Sequence, residues 1–490
     1  MPPIRVALLG LSQSAKTSWA NDAHFPYLQS PHVKEKYQIV ALLNSSEDAA
    51  NRAIAAYGLD ATTVKGYGDP QALAKDPNVD LVVCCTRVDL HYDTVRPSVA
   101  AGKNVYVEWP LASDHQDARE LASLARNSGA QTIVGLQARV DPAIRKIRQL
   151  LEQEVIGKVL SSDLSAYSPA SDRHEISDGL GYFLEKRVGG NPVTIMLGHR
   201  IDAVHSVLGE FETFQSHTQV QRPGQEILNR SDGTRTSKVS DVPDLVSIHG
   251  TLATQQPYVA PGASLVVNFH YEPPFPGTTP LVWTITGEKG QIRLSAESGS
   301  LIQTNASGPM TLQVYMFDSG KVEDISWGWE DWQTALPHRA RNIGKLYEIY
   351  AENKTAEYGV ADFDAAVKRH QEMDALLWKP RISQPLINLY IPKLHRLAAF
   401  VEESDIVRRG IPGPDPSADD EAIVGVDLHN PVVHQDREVE RLDVRFCLTF
   451  ALDVEQSELS NFVSCCYTVG REGGGAGVAA VDDEGFVGEF

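Results

Sequence analysis

Five cysteines in 490 residues are too few for a disulfide-built fold. Cys84–Cys85 and Cys465–Cys466 are adjacent pairs, Cys447 stands apart, and none of the spacings suits a zinc site. Cys84 and Cys85 close an apolar run and read as small fillers at the end of a buried strand. Basic residues are also short, with 44 Lys and Arg against 64 Asp and Glu and a net charge of −20. That deficit argues against nucleic-acid or anionic-membrane binding, which needs clustered cations. No apolar run approaches the ~20 residues of a membrane span. The opening MPPIRVALLGLSQSAK carries Arg5 inside a short apolar run, unlike a secretory leader. These absences predict a cytoplasmic protein in a reducing compartment. There is no Walker loop, no Ser-His-Asp set in a recognisable context, and no metal motif, so no metal is expected.

What is present is a regular alternation. Ile4–Leu9, Gln38–Leu43, Asn78–Thr86, Asn104–Glu108 and Gln131–Gln137 are apolar runs of strand length. Helical patterns separate several of them, at Glu47–Tyr57, His91–Ala101 and 114–128. Strands alternating with helices predict parallel βαβ units and a doubly wound sheet over residues 1–138. A long amphipathic helix starts at Asp141, with Pro142 in its first turn and Gly157 ending it. Residues 245–252, 264–271, 281–294 and 311–317 are rich in strand formers, and Gly287-Glu288-Lys289-Gly290 reads as a hairpin turn. Two helical stretches follow, at 338–351 and 361–377. The expected fold class is α/β, a Rossmann domain followed by an α+β domain at 139–377 with an open, mostly antiparallel sheet. Residues 378–490 diverge in character. GIPGPDPSADDE has linker composition, and little structure is expected from about 410.

The first βα turn reads Gly10-Leu11-Ser12-Gln13-Ser14-Ala15-Lys16. A dinucleotide fingerprint asks for three small residues that give a tight turn, close approach of the backbone to pyrophosphate and a helix N-terminus with free N–H groups. Gly10, Ser12 and Ala15 fill those places, and Gln13 lies between them. Where the second strand ends, an NAD site places a carboxylate on the ribose diol. This chain has Asn44-Ser45-Ser46 there, with Arg52 further along the helix. Small donors and an arginine suit a 2′-phosphate, so NADP is expected over NAD. Asn44 also suits a helix N-cap.

With these residues in view, the chain resembles the glucose–fructose oxidoreductase/inositol dehydrogenase (Gfo/Idh/MocA) family over residues 3–377. CCTRVDLHYDTV is similar to the family's T-P-N-x-x-H turn, with Thr86 and His91 matching. GKNVYVEWPLA is similar to G-K-H-V-x-x-E-K-P-L-A, with Glu108, Pro110 and Leu111 in place. HRID (199–202) matches an H-x-x-D helix, and GEKGQIRL a hairpin. Longer stretches, such as GLSQSAKTSWANDAHFPYL and LGHRID, resemble a branch holding a fungal galactose-pathway repressor and filamentous-fungal oxidoreductases.

The resemblance implies a cofactor cleft that includes Thr86, His91, Glu108 and Trp109, and a homodimer built on the open sheet. It also implies a proton relay of the lysine in E-K-P, an aspartate and a histidine. Trp109 stands at the lysine place and Ile195 at the aspartate place, leaving His199. Indole is only a donor, so Trp109 reads as an aromatic plate against the nicotinamide. Tyr182, Asp178 and His174 are candidate substitutes for the lost base. His199 also suits a helix-face histidine satisfied by backbone or Asp202. Two functions follow. One is an NADP(H)-dependent oxidoreductase acting on a sugar-like or other small carbonyl or alcohol. The other is a non-catalytic NADP-binding regulator that holds a regulatory protein, with shuttling to the nucleus.

Overall fold

The computed structural model describes residues 2–378, apart from Lys16, Lys34, 303–307 and 309, together with six short strands between residues 423 and 488. The chain divides into two compact units, 1–382 and 383–490.

In the first unit, the apolar run Ile4–Leu9 forms β1, fully buried from Val6 onward. It sits between β2 (Tyr37–Leu43) and β4 (Leu81–Cys84), parallel to both. With β3 (Lys65–Tyr67), β5 (Asn104–Val107) and β6 (Thr132–Val134) the order is β3-β2-β1-β4-β5-β6, all parallel. A parallel sheet is buried on both faces, which is why its strands read as continuous apolar runs. The helix Glu47–Ala56 follows β2 and His91–Ala100 follows β4.

The second sheet has eight strands in the order β17-β16-β15-β14-β7-β13-β12-β9. They are β7 (Val159–Tyr167), β9 (Phe211–Gln219), β12 (Leu245–Leu252), β13 (Val259–His270), β14 (Leu281–Gly287), β15 (Gly290–Ala296), β16 (Met310–Met316) and β17 (Val322–Asp324). Every neighbouring pair is antiparallel except β7 and β13. Along β14 and β15 the residues alternate between buried and partly exposed, so one face is core and the other open. A smaller three-stranded sheet, β11-β10-β8, joins β8 (Glu175–Ser177), β10 (Gly224–Leu228) and β11 (Arg235–Val239). Its strands carry few apolar residues, and the sequence offers little signal for them.

Two helices grouped by sequence with residues 139–377 also pack on the half that carries the parallel sheet. His338–Ala351 buries Ile343, Leu346 and Tyr347 in one cluster with Val6, Leu8, Tyr37 and Tyr106 of the parallel sheet. Phe363–Leu377 covers the other face with Ala118, Leu121 and Ala122 of the helix His115–Ser128. The segment between β1 and β2 holds only short helical turns, so the sheet recruits its cover from later in the chain.

In the second unit, whose residues from about 410 are expected to be largely unstructured, the described residues are strands. Strands form at Ile423–Gly425, Val432–His434, Val444–Phe450, Val463–Glu472, Gly475–Val481 and Val487–Gly488, paired antiparallel in one two-stranded and one four-stranded sheet. Val-Arg-Phe-Cys-Leu-Thr-Phe and Val-Ser-Cys-Cys-Tyr-Thr-Val are strand-forming runs inside an otherwise polar tract. The remainder of that expectation lies outside the described residues.

Candidate functional site

The strand order reverses between β1 and β4, and a crevice opens at the carboxyl ends of strands at such a switch point. Gly10 leaves β1 there with φ +88°, and a β-carbon on it would lie 3.1 Å from the carbonyl oxygen of Cys85. Both facts demand glycine at this turn. The loop after it is tied down from three sides. Ser12 Oγ and Ser14 Oγ are 2.9 Å apart, Gln13 Nε2 donates to the carbonyl of Ala56 at 3.0 Å, and Asn44 Nδ2 donates to the carbonyl of Leu11 at 3.0 Å.

Ala15 is exposed, and the first helical turn, Ala20–His24, begins well after it. Ser18 Oγ accepts from the N–H of Asn21 at 3.3 Å and starts the turn there. One reading of this region is corrected. Asn44 does not cap the next helix. Ser46 does, accepting from the N–H of Ala49 at 3.1 Å, which frees Asn44 to bind the first loop. Ser45 and Arg52 are exposed beside it.

At the ends of β4 and β5, Thr86 is half-buried with its methyl against Gly10. His91 is buried behind it, its ring nitrogens 2.9 Å from the carbonyls of Pro110 and Thr86. Burial pushes its pKa down. A neutral ring donates to only one of these oxygens, and the imidazole braces the two loops against each other. Glu108 is buried, with Oε1 2.8 Å from Nε2 of His24, whose Nδ1 lies 2.9 Å from the hydroxyl of Tyr347. This chain of polar groups joins β5 to the helix His338–Ala351 and was not visible in sequence, since its members are far apart in the chain.

Trp109 corrects another expectation. It is only 4% exposed, its N–H donates to the carbonyl of Thr194 at 2.7 Å, and its ring packs on His370 with centroids 4.8 Å apart and against Gly198. A buried indole needs a partner for its N–H and finds it in the interior, so neither ring face is offered to a nicotinamide.

The helical run Pro192–Leu197, capped by Asn191, continues into the helix Gly198–Leu208. His199 at its start is 5% exposed, and its Nδ1 is buried without a partner. Burial, opposed in part by Asp202, lowers its pKa to about 4, so the ring is neutral at physiological pH. Asp202 does not bond it. Its carboxylate takes two hydrogen bonds from Arg139, at 2.8 and 2.7 Å, and lies 3.5 Å from Nε of Arg369. Burial alone would raise the Asp202 pKa, but Arg139 and then Arg369 hold it below the usual range.

Tyr182, Val88 and Ile195 meet at Gly190. A β-carbon on that glycine would lie 2.8 Å from Val88, 3.2 Å from Tyr182 and 3.4 Å from Ile195. Tyr182 and Ile195 are each half-buried. The guanidinium of Arg87 sits over the Tyr182 ring at 5.6 Å. Of the other candidate substitutes, His174 is exposed, and Asp178 Oδ1 accepts from the N–H of Gly179 at 2.9 Å.

Elsewhere, His205, Glu210 and Glu372 bring ligand-type atoms within 4.8 Å of one another. Arg369 occupies both carboxylates, pairing with Glu210 at 3.0 Å and with Glu372, so the cluster is an ion network. Cys84 and Cys85 are buried thiols, with Cys84 pushed up to about 11 by burial. No helix among the described residues is long and apolar enough to cross a membrane.

Comparison with known proteins agrees with this geometry. Residues 4–136 match the family model described as an oxidoreductase family with an NAD-binding Rossmann fold, and residues 142–296 match the C-terminal domain of Gal80p. The chain is 32% identical over 382 residues to the dehydrogenase aclE of Aspergillus oryzae, covering 76% of this chain and 95% of that one. It is 26% identical to the galactose/lactose metabolism regulatory protein GAL80 of Saccharomyces cerevisiae, covering 61% and 68% of the two chains. In fold it is similar to a super-repressor mutant of Gal80p from the same yeast, with TM-score 0.65, 22% identity and coverage of 76% and 95%. It is also similar to an NAD binding oxidoreductase from Klebsiella pneumoniae, with TM-score 0.60, 19% identity and coverage of 76% and 96%.

Proposed function

The chain belongs to the Gfo/Idh/MocA oxidoreductase family, and on that premise we propose that it is an NADP(H)-dependent oxidoreductase acting on a sugar-like or other small carbonyl or alcohol. The observation that carries this reading is the turn at Gly10, at the switch point of the parallel sheet, whose left-handed backbone suits phosphates drawn close to the main chain. Gly10 and Ser12 would hold the pyrophosphate, with Gln13 bracing the loop. Asn44, Ser45 and Arg52 would hold the adenosine ribose. The end of β2 has no carboxylate, and the first acids, Glu47 and Asp48, lie on the following helix, which supports NADP over NAD. Thr86 and Glu108 would flank the nicotinamide, which when bound accepts or donates the hydride.

The chain's own contribution is proton handling. His199 is neutral at physiological pH and its Nδ1 is free to accept a hydrogen bond from a carbinol, although a pKa of about 4 makes it a weak base. Burial raises the Tyr182 pKa despite Arg87, so its hydroxyl keeps its proton and is suited to donate to a carbonyl oxygen. The open face of the eight-stranded sheet, with Asp163, Ser165, Thr284 and Arg293 partly exposed or exposed, supports a homodimer.

A second reading is favoured by one specific observation. Trp109 and Ile195 remove two of the three relay groups of the family pattern, and Trp109 is locked in the core. The protein would then be an NADP-binding regulator that holds a regulatory protein, as the match to GAL80 suggests. One experiment separates the two. The full chain is incubated with NADPH deuterated at C4 and a small-molecule extract of the source cells. A deuterated metabolite missing from the His199→Ala control supports the enzyme. No label, with NADPH bound stoichiometrically, supports the regulator and calls for capture of its protein partner.

A further inference from the structure

We infer that the small molecule taken by this site presents a flat, aromatic face with one carbonyl or hydroxyl oxygen, and is not a polyol. The inference rests on the oxidoreductase reading only for where the substrate lies, beside His199 and the ends of β4 and β5.

The wall there is apolar. Ile195 stands four residues before His199 on the same helical run, and Val88, Tyr182 and Ile195 close on Gly190 within 2.8–3.4 Å of its β-carbon position. Tyr182 and Ile195 continue into a cluster of Ile176, Phe183 and Leu184, joined by Leu180 and Ile227. Phe183 meets Tyr182 edge to face, with ring centroids 4.9 Å apart. Leu180, Tyr182, Ile195 and Ile227 are all half-buried, so this cluster keeps apolar surface that a ligand can cover.

The charges nearby are committed. Arg87 gives Nε and Nη2 to the two oxygens of Asp89, each at 2.6 Å, and its guanidinium carbon lies 5.6 Å over the Tyr182 ring. Beside the apolar side chains of Leu180, Ile195 and Ile227, the Tyr182 hydroxyl, with His199 four residues on from Ile195, serves one oxygen. A polyol would set its other hydroxyls against Leu180, Ile195 and Ile227 without partners, and sites discriminate strongly against such mismatches. An aromatic ring would instead add to the Arg87–Tyr182–Phe183 arrangement by stacking or edge contact.

Calorimetric titration of the full chain, with and without NADP, tests this with 2-acetonaphthone and D-galactose as probes. The ketone is expected to bind and galactose to give no saturable heat. Ile195→Asp should weaken the ketone by about tenfold or more, Tyr182→Leu should also weaken it, and Ile195→Leu should hold it within about threefold. Circular dichroism establishes that each variant folds, and Tyr182→Leu serves if Ile195→Asp does not. The inference is overturned if galactose binds the wild type as tightly as the ketone, if the ketone does not bind, or if folded Ile195→Asp and Tyr182→Leu both bind it unchanged. Deuteride transfer is read separately: aromatic preference without transfer removes the oxidoreductase reading alone, and transfer to sugars removes this inference alone.

Discussion

The indole N–H of Trp109 donates to the carbonyl oxygen of Thr194 at 2.7 Å, joining the end of β5 to the helical run that carries Ile195 and His199. The residue at the family's lysine place is therefore a strut between the two sheets' supports. Trp109→Phe keeps most of the apolar surface and removes the donor, so a loss of about 1–2 kcal/mol is expected in urea unfolding. Trp109→Lys places an ammonium in the core and should cost about 3–5 kcal/mol without restoring turnover. Gain of NADPH-dependent activity in a folded Trp109→Lys protein would refute the structural role.

Gly10→Ala should lower NADPH affinity by about tenfold or more, because the new β-carbon meets the Cys85 carbonyl and the backbone stays at φ +88°. Fluorescence titration of NADPH measures it. Unchanged affinity would mean that the cofactor avoids this turn.

Arg52→Glu should weaken NADPH by about tenfold and leave NADH within about threefold, since a carboxylate repels the 2′-phosphate and suits the bare ribose. Equal losses for both nucleotides would take Arg52 out of the recognition of the phosphate.

Asp202→Asn leaves Arg139 and Arg369 buried without their shared carboxylate. A loss of about 3–5 kcal/mol is expected by chemical denaturation. A loss below about 1 kcal/mol would show that Glu210 and Glu372 suffice to hold Arg369.

Burial lowers His199 to about 4 and His370 to about 3, against 6.5 in the unfolded chain. The unfolded state therefore binds more protons below pH 6.5, and these groups withdraw stability as pH falls from there toward 4. Asp141, held up at about 6 chiefly by burial, acts in the opposite sense, its cost to stability growing as pH rises from 3.8 to 6. His370→Gln isolates one contribution. Relative to its own stability at pH 7, it should keep about 2 kcal/mol more than the wild type at pH 5. Identical pH profiles would place His370 in contact with solvent.

The parallel sheet was legible because strands buried on both faces read as continuous apolar runs, and Ile4–Leu9 and Leu81–Cys84 do so plainly. Gly10 was legible because few residues tolerate its backbone. The fate of Trp109 was not, because its partner is the main-chain carbonyl of Thr194, and a carbonyl has no signature in sequence. Asp202 looked like a partner for His199 by its spacing, and nothing local announces that Arg139 and Arg369 arrive from elsewhere to claim it. The strands β8, β10 and β11 were missed because Gly224–Leu228 and Arg235–Val239 are mostly polar and only partly buried.

The helix His338–Ala351 that covers one face of the parallel sheet also sets an order of events during synthesis. It leaves the ribosome roughly 200 residues after β6, which at ~5–20 residues per second is ~10–40 s later. Throughout that interval Val6, Leu8, Tyr37 and Tyr106 lack the Leu346 and Tyr347 that seal them. The nucleotide-binding half, though first in the chain, completes its folding only when most of the first unit has been made, and chaperones would meet that bare sheet face on the nascent chain.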